Sequence, residues 1–440
     1  MPATPIWFVR PETFEAVRGE IGALAAGFAQ ASGFEPKPGK LQLLPGADGG
    51  LAGVLFGEDP ADPLIAGKLA TSLPPGVYRF AHPVPPLSEL AFHLASYRFE
   101  RFKPAARVAP TLETPTPALK AEAEAIAFGR DLVNLPANVL TPSALEKAAT
   151  DLAAAHGAEV RVVKGEALAR DFPLVAIVGA AAAEPPRLVD FTHGPADAPK
   201  VTLVGKGVVF DTGGLDIKPP SGMEIMKKDM GGAAAALTLA RLVMEAKLPV
   251  RLRVIVPIVE NAISGPAMRP GDIYRSRKGL SVEIGNTDAE GRLILADALT
   301  LAAGEAPDLL FDFATLTGAA RVALGPDLPP FFTDDEALAA EIASHALASR
   351  DPLWRLPLWR PYDSMLESPI ADLNNAPGGP FAGSITAALF LKRFAEGAKA
   401  WAHFDIYAWN PKPRATGPQG GEVQAARALF ALLTARFPAR

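Results

Sequence analysis

Hydrophobic and polar positions change their rhythm once along the chain. Up to about residue 112, short apolar runs are broken by many Pro and Gly. Around Pro104, Pro110, Pro115 and Pro117 a Thr-rich stretch reads as a linker, and from Ala118 the segment ALKAEAEAIAFGRDLVNLP has helical spacing with few breakers. Thr141-Pro142-Ser143 reads as a helix start for SALEKAATDLAAAHG, with Gly157 at its end. Beyond it, runs rich in β-branched residues (Val160 to Val163, Leu174 to Val178, Val201 to Val204, Val250 to Val259, Leu309 to Phe313) alternate with Ala- and Leu-rich helical stretches at 232–246, 293–303 and 384–396. Strand, helix and strand in repetition predict an α/β fold, a mostly parallel central sheet covered by helices on both faces. No repeat of 20–50 residues and no low-complexity tract interrupts the pattern.

Composition adds limits. The 440 residues suggest two or three units at about 150 residues each. With 49% hydrophobic and 21% charged residues the chain is neither disordered nor collagen-like. The net charge of −5 supplies no strong overall basic field, so nucleic acid is a poor first guess for a partner. The absence of Cys excludes disulfides, thiolate metal sites and a cysteine nucleophile. The start MPATPIWFVR lacks a signal-peptide pattern, and the longest apolar stretches, such as Leu174 to Ala183 and Gly231 to Ala240, are about half of what spanning a bilayer needs. A soluble cytoplasmic protein without a membrane partner is the expectation.

Several chemistries lack their signals. None of the six histidines stands at H-x-x-x-H spacing, and neither a G-x-S-x-G elbow nor a G-x-x-x-x-G-K-[ST] loop occurs. Gly205-Lys206-Gly207 follows a strand, but Phe210 occupies the place of the third glycine in a dinucleotide fingerprint. The acids that stand out lie in three glycine-rich stretches that border strands: GKGVVFDTGGLDIK (205–218), MKKDMGG (226–232) and NTDAEGRL (286–293). In an open α/β sheet, loops after the strands converge at the carboxyl edge, where ligands bind. Asp288 and Glu290 share one side if their segment is extended. Clustered carboxylates repel unless cations lie between them. Asp211, Asp229, Asp288 and Glu290 carry four negative charges, which two divalent ions would balance. Lys206 as a neutral amine is then a further ligand, and Lys218 and Arg292 remain the permanent cations. In a two-metal hydrolase, a cation such as Lys218 stabilises the oxyanion of the tetrahedral intermediate.

Singly, each of these residues has a plainer reading. Asp211 suits a Gly-rich turn, and Asn286-Thr287-Asp288 suits a helix N-terminus with Glu290 in its first turn. Lys206, Lys227 and Lys228 read as solvated, His403 as a packed residue at a strand end, Met226 as core, and NNAPGGPFAG as either a structural turn or a loop beside a site.

Together the three stretches resemble the leucine (cytosol) aminopeptidases, two-metal exopeptidases whose hallmark is the NTDAEGR heptad. RDLVNLPANVLTP (130–142), EPPRLV (184–189), ATLTGAARVALG (314–325), ADLNNAPGG (371–379), GSITAALFL (383–391) and WAHFDI (401–406) resemble further family segments, in the family's order, so that the likeness covers about residues 125–417. The resemblance implies that Lys206 and Asp229 bind one metal, Asp288 the other, and Asp211 and Glu290 both. It implies that Lys218 is catalytic, that Arg292 holds a bicarbonate acting as general base, and that Met226 and Thr315 line the pocket for the first side chain. Manganese or zinc, a peptide substrate with a free N-terminus and a hydrophobic, leucine-like first residue, and a homohexamer follow from the same resemblance. So does a division into a smaller N-terminal α/β domain at 1–112, a linker helix region at 113–135 and a catalytic metallopeptidase domain at 136–440. Two departures stand out: Asp216 where a small residue is common, a charge two positions from Lys218, and PQGGEVQAAR after Gly417 in place of the family's more usual helix start. A two-metal phosphoesterase, gripping phosphate oxygens with the same acids, and a binding protein that keeps the fold without turnover are the rival readings.

Overall fold

The computed structural model describes residues 2–104 and 108–438, so part of the expected linker, 105–107, lies outside the described residues. The chain forms two compact units, residues 1–127 with 412–419, and residues 128–411 with 420–440. The first is built on strands β1 (Thr4–Val9), β2 (Leu41–Pro45), β3 (Leu51–Gly57), β4 (Val77–Phe80) and β5 (Thr111–Leu112), in the order β2-β3-β1-β4-β5. Alternation along β3 sends Val54 and Phe56 to one face, where they pack with Ile6, Leu69, Tyr78 and Phe92, and Leu55 to the other, with Val9, Leu44 and Val17.

The second unit carries β6 (Glu159–Lys164), β7 (Arg187–His193), β8 (Lys200–Gly205), β9 (Gly207–Asp211), β10 (Arg251–Asn261), β11 (Ile273–Arg275), β12 (Ser281–Glu283), β13 (Leu309–Ala314), β14 (Pro330–Phe332), β15 (Trp354–Arg355), β16 (Leu373–Asn374) and β17 (Trp401–Asp405). Nine of these form one sheet, ordered β15-β14-β17-β13-β8-β10-β7-β6 with β9 paired to β10, while β11, β12 and β16 form a small sheet of their own. The central strands β17, β13, β8 and β10 run parallel, whereas β7 opposes β10 and β14 opposes β17. Every residue of β13 is buried, as expected of a parallel strand covered on both faces. Val204, Ile255 and Leu310 pack with Leu293, Ile294 and Leu299 of the helix Glu290–Ala303, and the helix Gly231–Glu245 is buried over nearly its whole length.

Two sequence expectations shift. Leu174 to Val178 is not a strand but the helix Pro173–Val178. A short apolar run has no period that separates the two states, and Pro173 at the first helical turn favours the helix. Its first amides are taken by the buried Asp297 carboxylate, from Leu174 N at 2.8 Å and Val175 N at 3.4 Å. The helix expected over 384–396 ends at Lys392, because Phe394 and Ala395 donate three residues back, to the carbonyls of Leu391 and Lys392. No helix of the described residues is long and apolar enough to cross a membrane.

Candidate active site

The register of the central strands decides what meets at their carboxyl edge. Phe313 lies beside Gly205 and Ala314 beside Asp405, so Lys206, Thr315 and the residues after Asp405 leave neighbouring strands together. Lys206 is held by its backbone, its N–H donating to Phe313 O at 2.9 Å and its carbonyl accepting from Ala233 N at 2.9 Å. Asp211 ends β9, and the chain then turns through Gly213 at φ +88° and Gly214 at φ +66°, a conformation that disfavours a side chain. The turn brings Gly213 N within 2.8 Å of Asp211 Oδ1. Glycine at 291 has a different cause: a Cβ there would lie 2.7 Å from Lys206 Nζ, so the helix Glu290–Ala303 can start against the lysine only without a side chain at its second position.

The expected residues converge. Lys206 Nζ lies 2.8 Å from both Asp229 Oδ2 and Glu290 Oε1. Oxygens of Asp211, Asp288 and Glu290 all fall within 4.8 Å of one another. Lys218 Nζ is 2.9 Å from Asp211 Oδ2 and pairs with Asp288 Oδ1 as well. Asp288 and Glu290 do not meet by sharing one side of an extended segment. Glu290 opens the helix and Asp288 sits in the turn before it, where Ala289 N reaches back to Asn286 O at 3.2 Å.

Electrostatically the cluster asks for more positive charge. Burial first, and then the neighbouring Asp211, push the Glu290 and Asp288 carboxyls above their ordinary range. Burial lowers the basicity of Lys206, but Asp229, Glu290 and Asp211 raise it further still. Lys218 behaves alike under Asp211, Glu290 and Asp288, so both amines stay protonated in the protein alone. Lys206 is in that state a cation, and becomes the neutral ligand of the sequence reading only if other cations replace its charge. Two ammonium groups against four carboxylates leave the cluster short of positive charge. Asp229 Oδ2 and Glu290 Oε1, moreover, are buried without a directed hydrogen bond, although Lys206 stands near both. A set of hard carboxylate oxygens with one amine fits divalent cations.

Around this cluster the loops are pinned by groups that carry no chemistry themselves. Asn261 Nδ2 donates to Asp211 Oδ1 at 2.8 Å, and Thr315 Oγ1 donates to Asp229 Oδ1 at 2.7 Å. Asn375 is fully buried. Its Oδ1 accepts from Gly285 N at 2.8 Å and its Nδ2 donates to Asn286 O at 2.8 Å, which places the NNAPGG stretch beside the site. Asp216 is not a loose charge near Lys218: its Oδ2 accepts from Thr287 N at 2.7 Å and its own N–H donates to Thr287 Oγ1 at 2.8 Å, clamping the heptad loop. Arg292 is 7% exposed, donates from Nη1 to Asn375 O at 2.5 Å and keeps a buried Nε without a partner; burial pulls its pKa down to about 10.

A cavity of about 460 Å³ opens over the acids. Met226 and Thr315 line it, as do Ile225, Leu316 and Ile406. One expectation is corrected here. Lys228 is not solvated but 5% exposed, turned into the cavity wall, while Lys227 is half-buried and donates to Asn134 O at 2.7 Å. The unusual PQGGEVQ stretch braces the same wall. Gln424 Oε1 accepts from Tyr407 N at 2.9 Å and Ala408 N at 3.0 Å, and Glu422 binds Arg130 through two hydrogen bonds of 2.9 Å.

The model of the cytosol aminopeptidase family catalytic domain matches residues 127–430, and that of the M17 aminopeptidase N-terminal domain matches residues 4–115. The chain belongs to the M17 cytosol aminopeptidase family. A probable cytosol aminopeptidase of Syntrophotalea carbinolica is 44% identical over 363 residues, 77% of this chain and 73% of the relative. One of Roseiflexus castenholzii is 40% identical over 391 residues, 81% and 80% of the two chains. The crystal structure of the cytosol aminopeptidase of Coxiella burnetii superposes with a TM-score of 0.95 at 43% identity, covering 99% of this chain and 98% of that one. The bottromycin maturation enzyme BotP in complex with Mn gives 0.88 at 34% identity, over 99% and 100% of the chains. This M17 aminopeptidase is therefore a hydrolase, and its two units correspond to the N-terminal and catalytic domains of the family.

Proposed function

We propose that this M17 enzyme is a metal-dependent aminopeptidase that releases N-terminal residues, hydrophobic ones among them, from short peptides. The observation that carries the metal dependence is the buried cluster of Asp211, Asp229, Asp288 and Glu290, which Lys206 and Lys218 neutralise only in part. In this reading Lys206, Asp211, Asp229, Asp288 and Glu290 would together hold two divalent ions. A divalent pair supplies Lewis acidity toward the scissile carbonyl and a water of lowered pKa, the chemistry expected of manganese or zinc. The related BotP complex with Mn supports the former.

The chain's own residues do the rest. Lys218, half-buried at the cavity edge, presents its ammonium where the carbonyl oxygen gains charge. Thr315 fixes Asp229 in one orientation through its hydroxyl. Arg292, whose buried Nε has no hydrogen-bond partner, would hold an anion such as bicarbonate, which would take the proton from water. Met226, with Ile225, Leu316 and Ile406, offers an apolar surface to the first side chain. The setting is cytoplasmic and the assembly a homohexamer, which light scattering would test.

The deciding experiment is hydrolysis of leucine p-nitroanilide by metal-stripped protein, with Mn²⁺ or Zn²⁺ added back and the N-acetylated substrate as control. Release that needs both metal and a free amine supports the reading. Full activity of the stripped protein, or a phosphatase activity without peptidase, sinks it.

A further inference from the structure

One part of the cavity wall does not suit an apolar side chain. Lys228 Nζ stands over the Tyr407 ring, 4.9 Å from its centroid, and the guanidinium of Arg321, on the helix Gly318–Leu324, stands 5.0 Å from the same centroid. Both residues, and Tyr407 itself, line the cavity that holds the acids. Two cations brought to one aromatic ring repel each other, and each lowers the other's stability as a charged group. Ordinarily a carboxylate lies between such a pair. The acids of the floor lie against other cations: Lys206 Nζ is 2.8 Å from Asp229 and from Glu290, and Lys218 pairs with Asp211 and Asp288. Asp405 accepts from Leu316 N at 3.0 Å, Thr317 N at 3.1 Å and Thr317 Oγ1 at 2.6 Å. Among the described residues no carboxylate is ion-paired with Lys228 or Arg321.

The tyrosine offsets part of the cost through its ring face, but by less than a buried ammonium loses on leaving water. The neighbouring lysine shows the contrast. Lys227, over Trp409 at 5.6 Å, also donates to a backbone carbonyl and lies outside the cavity lining.

We infer that Lys228 and Arg321 form a carboxylate-binding subsite in the substrate cavity, so that this enzyme favours peptides bringing a carboxylate to the Tyr407 wall. This rests on the aminopeptidase reading of the same site and names its substrate class more narrowly. The carboxylate comes either from an acidic side chain at the N-terminal residue or from the residue after the scissile bond, where a dipeptide ends in a free carboxylate. A hydrophobic first residue on the Met226 side is compatible with the second source.

The test compares kcat/KM of the Mn²⁺-loaded protein on glutamyl and leucyl anilides, and on leucyl dipeptides against their C-terminal amides. Glutamyl preference identifies the side chain, and loss of at least about tenfold on amidation identifies the dipeptide terminus; either supports the subsite. In Arg321→Met, exposed at the rim, and Lys228→Met, whichever preference is found falls about tenfold as a ratio of the two substrates. Calorimetric titration with L-glutamate, L-leucine and leucyl-glycine separates this inference from the reading beneath it. If no substrate is turned over but the carboxylate-bearing ligand loses affinity in Arg321→Met, the subsite stands and the peptidase reading falls. If neither acidic side chains nor free C-termini raise kcat/KM or affinity over their neutral counterparts, the subsite is overturned.

Discussion

The acidic floor of the cavity and its Tyr407 wall both hold a buried lysine, in opposite circumstances. On the floor Lys206 sits between Asp229 and Glu290, and the acids around it raise its pKa against the pull of burial. On the wall Lys228 lowers to about 8, mainly through burial, with Lys206 and Arg321 adding to the effect and Asp229 opposing it. The floor lysine has its counter-charges inside the protein, although the four acids around it still outnumber the two ammonium groups. The wall lysine has no ion-paired carboxylate among the described residues, so the floor is an anionic surface suited to cations and the wall a cationic one suited to an anion.

The comparison can be broken at several strengths. Glu290→Ala should have the largest effect, since it strips a carboxylate from the centre of the floor: kcat/KM should fall by more than about a hundredfold, with fewer ions retained on dialysis, and near-normal turnover would refute its bridging place. Lys218→Ala should lower kcat by about 10²–10³-fold, roughly 2.7–4 kcal/mol, while metal content by atomic absorption stays near wild type. Equal loss of metal would instead make Lys218 part of the scaffold. Gln424→Ala should act on the wall, leaving the Tyr407 and Ala408 amides without their acceptor. It should cost about 1–3 kcal/mol in denaturant unfolding and blunt any carboxylate preference, and unchanged stability would show that the brace is idle.

The smallest expected effect comes from a buried pair that does not line the cavity. His403 is fully buried and its Nδ1 lies 2.6 Å from Asp312 Oδ1, while Asp312 Oδ2 accepts from Trp401 Nε1 at 2.7 Å. Burial lowers the His403 pKa, but Asp312 more than reverses this and leaves it above 6.5. The folded state therefore binds the proton more tightly than the unfolded chain. The stabilisation is complete below a pH of about 6.5 and is lost as pH rises through the folded pKa. Tm should drift down over that window in the wild type and not in Asp312→Asn; parallel profiles would show that the pair titrates elsewhere.

How far the sequence could be read follows the same division. The floor was legible because Lys206, Asp211, Asp229, Asp288 and Glu290 stand in contiguous glycine-rich segments that also resemble a known family. The parallel sheet was legible because its strands are apolar on both faces. The wall was not. In MKKDM two adjacent lysines look alike, and only the fold sends Lys227 to a carbonyl and Lys228 inward. Asp216 reads locally as a spare charge because its partner Thr287 is 71 positions away. Leu174 to Val178 carries no period, and the group that favours its helical start, Asp297, lies on another element.

The Arg130 to Glu422 pair joins residues 292 positions apart, and Gln424, two residues beyond Glu422, fixes the backbone of the cavity wall. The β8, β10 and β13 ladders and that brace belong to one compact unit, and domains generally fold as units. The cavity wall thus depends on residues synthesised after every acid beneath it. A chain ending before Glu422 would lose the partner of Arg130 and the Gln424 acceptor together, leaving the four floor acids in its sequence and their wall without its brace.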